Sequence, residues 1–580
     1  MSNPNDTAPE EQIEFNEEEM FYDDQVFNEE EALFNEEEAD FNFIEEEESN
    51  KPSFEVSDSI EYPKSDPFID RLVRDIKLCE TFLIDFTFDD SKLPTISFKI
   101  PTTILPLSVR FANGFIYNPY LVEVKFEANS DSPYKTFPQN YEIHNPYYGA
   151  TFPGSILFKI RFSNFFKAKY KPPTSYRCQN YVLPARLSIS ADDLELSIRE
   201  LVQEGFSEKQ AKRALLFCSN DVNKARDYLI LGVVEQEKKE IPVCYADCPL
   251  LYLILELCES FTDMNDCCCA CGEKLGVFCL KPSCCDKEIC KYKFMDLGVG
   301  TNIIGEIKRD PYATDFLIAL AGGAYNAPTT PPVFDPSPES QGIKFDDNFF
   351  IDLPSMQDIC DKCDTDSDLK KLIGENYFDF LRFFILANKA QLITLRKPNK
   401  VDIKTRAMQF LVTSVSPESE LIFRSKKKKF GVKWFWHGSH ANRWYRILHT
   451  GLKDMGRTDY QLHGGPWFGD GIYMSDSFNV SLSYCMSANN IYQNSVLPKK
   501  LMVISLVENA NVPELTGPVA ANEYTQRDES ACITRVLFLI DTETEDTNGY
   551  DFNTLHNKIK VPELRDVLAN QLKPYMKYLK

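Results

Sequence analysis

The chain has 580 residues, with 88 Asp or Glu against 63 Lys or Arg and a formal net charge of −25. Twenty of the acids fall in the first fifty residues, which hold no Lys or Arg, so the remainder is only mildly acidic. That balance excludes a nucleic-acid partner bound by phosphate neutralisation, because the sequence offers no dense basic face.

The length predicts about three or four domains in a multidomain α+β protein. No run of eighteen or more apolar residues and no positively flanked N-terminal apolar segment is found, which predicts an intracellular protein of cytoplasm or nucleus without a membrane partner. Eighteen cysteines without a secretion signal favour metal binding or free thiols over disulfides. The one basic run, Lys426 to Lys429, is predicted to be a solvated turn.

Residues 1–62 form an acidic segment in which FNEEE occurs three times. Such a segment is too charged to bury itself, so we predict a disordered tail. It either keeps the protein soluble or uses its regularly placed Phe residues to dock on a basic, apolar-lined partner. Its glutamates are also available as acceptors of a transferred group.

Residues 63–186 turn globular. DPFIDRLVRDIKLCETF has helical spacing, and TISFKI, PLSVRFA, YLVEVKFEA and SILFKIRFS alternate as strands do. A helix followed by an antiparallel meander is α+β and resembles the RWD or ubiquitin-conjugating-enzyme (UBC) fold. The conjugating-enzyme pattern, His-Pro-Asn followed by a catalytic Cys, is missing at EIHNPYYG, residues 142–149. The resemblance therefore implies a binding module.

Residues 187–235 carry three short apolar helical faces, which predict a three-helix domain. QEGF ends the first helix, with Gly205 as its stop and Phe206 as the expected surface anchor. The stretch resembles a ubiquitin-associated (UBA) domain, including the Gly-Phe loop and an end with Leu229 and Leu231. That resemblance implies ubiquitin or ubiquitinated proteins as partners, whereas a plain three-helix bundle would have no ligand.

Residues 236–363 are predicted to be a zinc-knuckle and linker region, since eleven of the eighteen cysteines lie between 244 and 290. Two Cys pairs around Gly272 suit tetrahedral coordination of structural Zn²⁺ by four thiolates. The candidate ligands are Cys268, Cys271, Cys285 and Cys290. Cys269 or Cys284 would be able to replace a neighbour, and the alternative is that these thiols only pack as small apolar groups.

Residues 364–580 form the last predicted unit, and four of the six histidines of the chain lie between 437 and 463. WFWHGSH is an apolar strand that ends at His437 beside Gly438, so a polar side chain is presented next to bare backbone. ANRWYRILHTGL then has the pattern of an amphipathic helix closed by Gly451.

A second strand and helix follow. Tyr473 emerges at the start of the strand in GDGIYMS, and the helical spacing of SFNVSLSYC places Ser481 and Tyr484 on one face. Two aromatic planes, a hydroxyl, a histidine and a glycine backbone suit a flat, amide-bearing ring held between tyrosines.

Residues 424–541 resemble the catalytic domain of the poly(ADP-ribose) polymerase superfamily, in its mono-ADP-ribosyltransferase branch. HGSH, GLK, QLHGG, GDGIYMS and SLSYC occur in order. The resemblance implies a split-sheet α+β domain that uses NAD⁺ as substrate and protein side chains as acceptors. The cysteine knuckle with LKP before Cys285 also resembles an insert of that superfamily.

The resemblance implies roles for six residues. His437 would bond the ribose 2′-hydroxyl, and Ser439 would contact the adenine ribose. The nicotinamide carboxamide would meet the backbone of Gly438 and the hydroxyl of Ser481. Its ring would lie between Tyr473 and Tyr484, with His437 and Tyr473 as the catalytic residues.

The family's chain-elongating members carry a glutamate at the start of a late strand. The late strand of this chain, CITRVLFLID, has no acid before its end, while Asp528, Glu529 and Asp541 are displaced from the expected position. We therefore predict transfer of a single ADP-ribose, linked to ubiquitin recognition. The alternative is a catalytically inactive adaptor that binds ubiquitin or ubiquitinated proteins.

Overall fold

The computed structural model divides the chain into two units, residues 1–65 and 66–580. It describes residues 66–572 except for 81–84, 91–92, 102–104, 106–109, 112, 114, 116–119, 129–132, 147, 151, 177, 179–190, 219, 232–240, 242, 280, 296–301, 326, 328–345, 347, 457–468, 519–521, 543–559 and 563. The predicted acidic tail and the Pro-rich stretch 329–341 of the predicted linker region lie outside the described residues.

The N-terminal part of the second unit is an antiparallel sheet with helices on it, so the predicted α+β class holds there. Helix α1 is Pro67–Glu80. The strands are β1 Asp85–Asp89, β2 Thr95–Pro101, β3 Tyr120–Glu127 and β4 Tyr141–His144. They pair in the order β1-β2-β3-β4. The finer resemblance to the RWD or UBC fold stays a prediction.

The stretch SILFKIRFS is helical, and its prediction as a strand was wrong. Helix α2 spans Ser155–Phe165 and buries Phe158, Phe162 and Phe165. These residues are four and three apart, so the stretch carries a helical stripe as well as an alternation. The stripe prevails because it packs against α6, Pro249–Thr262.

The predicted three-helix domain is present, with helices α3 Ala191–Gln203, α4 Glu208–Phe217 and α5 Val222–Leu231. Ser207 begins α4 with a reciprocal capping box to Gln210. Phe206 is only 2% exposed, so its prediction as a surface anchor was wrong. It packs in the bundle's core, where its burial stabilises the short helices.

A helical layer connects the cysteine region to the last sheet. Its helices are α7 Glu288–Met295, α8 Ile303–Arg309, α9 Pro311–Tyr325, α10 Phe349–Asp352, α11 Met356–Lys362 and α12 Asp366–Ala387. Helix α9 is buried along nearly its whole length, and Phe316 stacks on Phe410 with ring centroids 4.2 Å apart. This helix therefore shares its core with the sheet.

The last sheet has eight strands among the described residues. They are β5 Gln391–Thr394, β6 Ala407–Ser414, β7 Val432–Gly438, β8 Ile472–Ser475, β11 Val503–Ala510, β12 Leu515–Thr516, β13 Glu523–Gln526 and β14 Cys532–Ile540. Their order across the sheet is β12-β13-β8-β7-β11-β14-β6-β5. A separate pair joins Ala488–Asn489, β9, to Lys500–Leu501, β10. The helices of this part are α13 Pro417–Phe430, α14 Trp444–Thr450, α15 Phe478–Ser483 and α16 Leu564–Leu572.

Asp310 joins three distant segments. Its buried carboxylate accepts from the backbone of Ala313 in α9, from the backbone and hydroxyl of Thr394 on β5, and from Gln571 on α16. Gln571 also donates to the Thr394 carbonyl, and α16 packs against α5. Helix α16 thus lies between the three-helix domain and the edge of the last sheet.

Among the described residues, no helix combines the length and the apolar character needed to cross a bilayer.

Candidate functional site

His437 stands at the end of β7, as predicted. Its Nδ1 lies 2.8 Å from the carbonyl oxygen of Tyr473 on the neighbouring strand. A carbonyl only accepts, so Nδ1 carries the proton and Nε2 is left with a lone pair. Burial lowers the pKa of His437, although the bond to Tyr473 opposes this effect. The imidazole is therefore neutral at pH 7, with an acceptor free for a hydroxyl.

Gly438 is the point of closest approach between β7 and α15. A Cβ at this position would lie 1.8 Å from the carbonyl oxygen of Ser481 and 3.0 Å from the sulfur of Cys485. Only glycine fits here. This close packing requires Gly438 independently of the ligand contact predicted for its backbone. Ser439 follows and is buried.

Helix α15 brings the predicted serine and tyrosine to the same cleft. Ser481 is buried and donates its hydroxyl to the carbonyl of Trp436, at 2.9 Å. This bond uses the only proton of the hydroxyl, so the Ser481 oxygen accepts from a ligand amide. It donates to a ligand only if the hydroxyl turns away from Trp436. Tyr484 follows the helix, is 37% exposed and donates to Glu523 at 2.8 Å.

Tyr473 lies on β8, opposite Thr525 of β13. Its hydroxyl donates to the carbonyl of Gly469 at 2.6 Å. Burial, followed by Glu523 and then the nearby Tyr473, raises the pKa of Tyr484 to about 12. Tyr484 is therefore neutral at pH 7, and the two tyrosines offer their rings as apolar planes.

Glu523 is a site residue that the sequence did not predict. It opens β13, pairs with Ser475 of β8, is 7% exposed and accepts the Tyr484 hydroxyl. Side chains alternate along a strand, so Glu523 shares the face of Ser475, which is also that of Tyr473. Single-unit transfer was predicted because the late strand CITRVLFLID has no acid before its end, but Glu523 opens a different strand and lies beside Tyr484.

A local signal for Glu523 exists. It stands between Asn522 and the short run YTQ, and Asn is among the residues that favour turns. In the structure Asn522 has a φ of 60° and leads into β13. Strand β14 is longer and more apolar, so its sequence pattern predicts a strand more clearly. The expected glutamate was therefore placed at the start of β14 and not at this turn.

The three acids considered in the sequence are engaged elsewhere. Asp528 pairs with Lys426, Glu529 with Lys453 and Asp541 with Arg406. Lys426 to Lys429 lie within α13, with Lys427 to Lys429 in its last turn, so the prediction of a solvated turn was wrong. Cations at a helix C-terminus stabilise the helix dipole.

The remaining histidines of the region have separate places. His440 accepts from the backbone of Asn442 and begins the short 3₁₀ turn Ala441–Arg443. His449 lies in the last turn of α14. His463 lies outside the described residues.

The cysteine region folds into a compact cluster. The sulfurs of Cys268, Cys271, Cys285 and Cys290 all lie within 4.8 Å of one another. A tetrahedron with Zn–S bonds of about 2.3 Å has sulfur–sulfur edges near 3.8 Å, and the Cys271–Cys285 separation is 3.8 Å. Gly272, with a φ of 76°, turns the chain between the pairs. The residues fit a four-thiolate metal site.

This cluster connects the flanking parts of the unit. A Cβ on Gly272 would lie 2.8 Å from Ile160 of α2. On the other side, Lys281 is buried and its ammonium donates to the carbonyls of Ile385 and Asn388 at the end of α12. Burial lowers the pKa of Lys281 to about 8. The knuckle is therefore packed between α2 and the helix that leads to β5.

Comparison with known proteins bears on two parts of the chain. Residues 400–563 match the family model of the poly(ADP-ribose) polymerase catalytic domain, and residues 194–229 match that of the UBA/TS-N domain. Both predicted resemblances are thereby confirmed for these segments.

Two relatives carry the same printed name, protein mono-ADP-ribosyltransferase PARP8. The Mus musculus protein is 28% identical over 267 residues, which cover 42% of this chain and 31% of the relative. The Homo sapiens protein is 29% identical over 241 residues, 38% of this chain and 28% of the relative. The chain spans under a third of the length of these relatives.

Proposed function

We propose that the chain is an ADP-ribosyltransferase that transfers one ADP-ribose from NAD⁺ to a protein side chain. The observation that carries the proposal is the pair of hydrogen bonds that join His437 to the Tyr473 carbonyl and Tyr484 to Glu523, beside the bare backbone of Gly438. The match to the catalytic domain model supports it.

The cleft supplies contacts for both ends of the scissile bond. The nicotinamide ring lies between Tyr473 and Tyr484, and its carboxamide meets the backbone of Gly438 and the oxygen of Ser481. The lone pair on Nε2 of His437 accepts the ribose 2′-hydroxyl, and Ser439 contacts the adenine ribose. Holding ring and ribose in fixed relative positions favours rupture of the bond between them.

Bond cleavage gives the ribose oxocarbenium character, as in glycoside hydrolysis. Nicotinamide leaves with the bonding electron pair, and the acceptor oxygen or sulfur attacks the ribose carbon while losing its proton. Glu523 stabilises the developing positive charge and polarises the acceptor. The Tyr484 hydroxyl fixes its carboxylate in place.

With Glu523 in the cleft, single-unit transfer is supported by the printed name of the two relatives. Because Glu523 supplies an acid beside Tyr484, the residues of the site do not exclude chain elongation.

Zn²⁺ held by Cys268, Cys271, Cys285 and Cys290 has a structural role in this proposal, because it would cross-link the knuckle that lies between α2 and α12. Four thiolates leave no open coordination position.

Ubiquitin, or a ubiquitinated protein, is the proposed partner of the UBA-like helices. The match over residues 194–229 supports this. With Phe206 buried, the contact must use exposed parts of the bundle, including Leu229, which is half-buried on α5. Leu229→Asp is expected to weaken ubiquitin binding, and Leu196→Asp on α3 is the control because Leu196 is 71% exposed.

The test uses purified chain and radiolabelled NAD⁺, with and without ubiquitin, beside His437→Ala and Tyr473→Ala. A discrete labelled band that both substitutions abolish supports single-unit transfer. A ladder of labelled bands would indicate chain elongation instead of single-unit transfer. Absence of label and of released nicotinamide, in a sample shown to be folded, would refute the enzyme and favour the inactive adaptor.

A further inference from the structure

The thiol of Cys485 lies directly behind the backbone that ends β7. The thiol donates to the carbonyl of Ser481 at 3.5 Å, and the backbone N–H of Ser439 is near enough to oppose the rise in the pKa of Cys485 that burial causes. It also lies 3.0 Å from the position that a Cβ on Gly438 would occupy. Cys485 is 6% exposed, so no solvent fills this space.

Two hydrogen bonds join residues 436–441 to residues 481–486 on either side of this thiol. The Ser481 hydroxyl donates to the Trp436 carbonyl, and the Ala441 N–H donates to the Met486 carbonyl at 2.9 Å. Cys485 lies between these two bonds in the chain, and its sulfur packs against the backbone of Gly438.

The chemistry of this thiol is that of a neutral group. Burial raises the pKa of Cys485 to about 12, so the sulfur keeps its proton and is a poor nucleophile. A neutral thiol keeps the proton that it donates to the Ser481 carbonyl.

We propose that Cys485 is a positioning residue for the nicotinamide end of the cleft. It sets the distance between α15 and the Gly438–Ser439 backbone, and so the place where a carboxamide is received. The inference rests on the proposed NAD⁺ reaction. Cys485 touches no reacting atom, so its loss should weaken nicotinamide binding and raise KM while kcat stays nearly constant.

The experiment compares Cys485→Ala with Cys532→Ala in the full chain. Cys532 is a matched control because it is also buried, its pKa is also raised to about 12, and it lies on β14 with its thiol donating to Glu529. We measure Tm, the Kd of nicotinamide by calorimetry, and KM and kcat for nicotinamide release from NAD⁺.

We expect Cys485→Ala to raise both the nicotinamide Kd and KM roughly tenfold, with kcat changed less than about twofold. Cys532→Ala should lower Tm comparably and leave Kd unchanged. Cys485→Ser keeps a donor and an acceptor, so it should recover part of the affinity and remain folded if the alanine variant does not.

A Cys485→Ala variant that loses Tm but keeps the wild-type nicotinamide Kd would overturn the inference, since the thiol would then only fill space. A wild type that binds nicotinamide without releasing it from NAD⁺ would refute the proposed reaction, and the Kd comparison would still decide the role of Cys485. A folded wild type that binds no nicotinamide would overturn both.

Discussion

Gly438→Ala gives a sharp test of the cleft geometry. The added methyl would lie 1.8 Å from the carbonyl oxygen of Ser481, and real Cβ contacts essentially never fall under 3.0 Å. The end of α15 must therefore retreat by at least about 1.2 Å, because a backbone carbonyl has no rotamer that avoids the clash. Tyr484 follows this helix end and would move with it.

A displacement of about 1 Å at reacting groups is enough to lower a rate roughly 100-fold. We therefore expect Gly438→Ala to lower kcat/KM for nicotinamide release from NAD⁺ by about that factor. Gly451→Ala is the control, because Gly451 follows helix α14 and has open space around its Cβ position. Its φ of +79° should cost about 1–2 kcal/mol of stability without changing kcat/KM. A Gly438→Ala enzyme within about fivefold of wild type would refute the reasoning.

Three further predictions concern other groups. Glu523→Gln keeps an acceptor for Tyr484, so it should lower transfer to protein about 100-fold and leave the nicotinamide affinity unchanged. Glu514→Gln is the control, because Glu514 is exposed and its replacement should not lower transfer. Equal transfer rates for the two variants would exclude Glu523 from the reaction. Because Lys281 has a pKa of about 8 when folded, against 10.5 as its ordinary value, the native state binds fewer protons between these values. The free energy of unfolding should rise with pH in that window relative to Lys281→Met, as urea denaturation at pH 7.5 and 10.5 would show; parallel pH profiles would contradict this. A zinc chelator should lower the Tm of wild type by several degrees and release one equivalent of metal, and Cys290→Ala should abolish both effects; a chelator without effect on a metal-loaded sample would contradict the structural site.

The parts of the cleft that could be predicted from the sequence are local ones. The strand that ends at His437, the helix that carries Ser481 and the strand that carries Tyr473 each show their period within about ten residues. Glu523 opens a four-residue strand, as short as the strand of Tyr473, but it stands outside the motifs HGSH, GLK, QLHGG, GDGIYMS and SLSYC that carry the resemblance. Its place beside Tyr484 depends on pairing with β8, nearly fifty residues earlier, and no local pattern reports that pairing.

Two wrongly predicted segments have a similar cause. Residues 155–163 fit both a strand and a helix, and contact with α6 decides between them. Phe206 follows a glycine stop and looks exposed in sequence, but a bundle of three short helices has little apolar volume and draws the ring into its core. In both cases packing between segments that are distant in the chain overrides the local pattern.

The Asp310 contacts have a consequence for synthesis of the chain. Strand β5 is the edge of the last sheet, and the Thr394 carbonyl on it accepts from Gln571, which is 177 residues further along. At about 5–20 residues per second, a ribosome needs roughly 10–35 s to supply that donor. During this time α16 cannot cover the strand, and an uncovered edge is a template for pairing with other chains. Until then the edge is held through Asp310, which precedes Thr394 in the chain and accepts from its backbone N–H and hydroxyl.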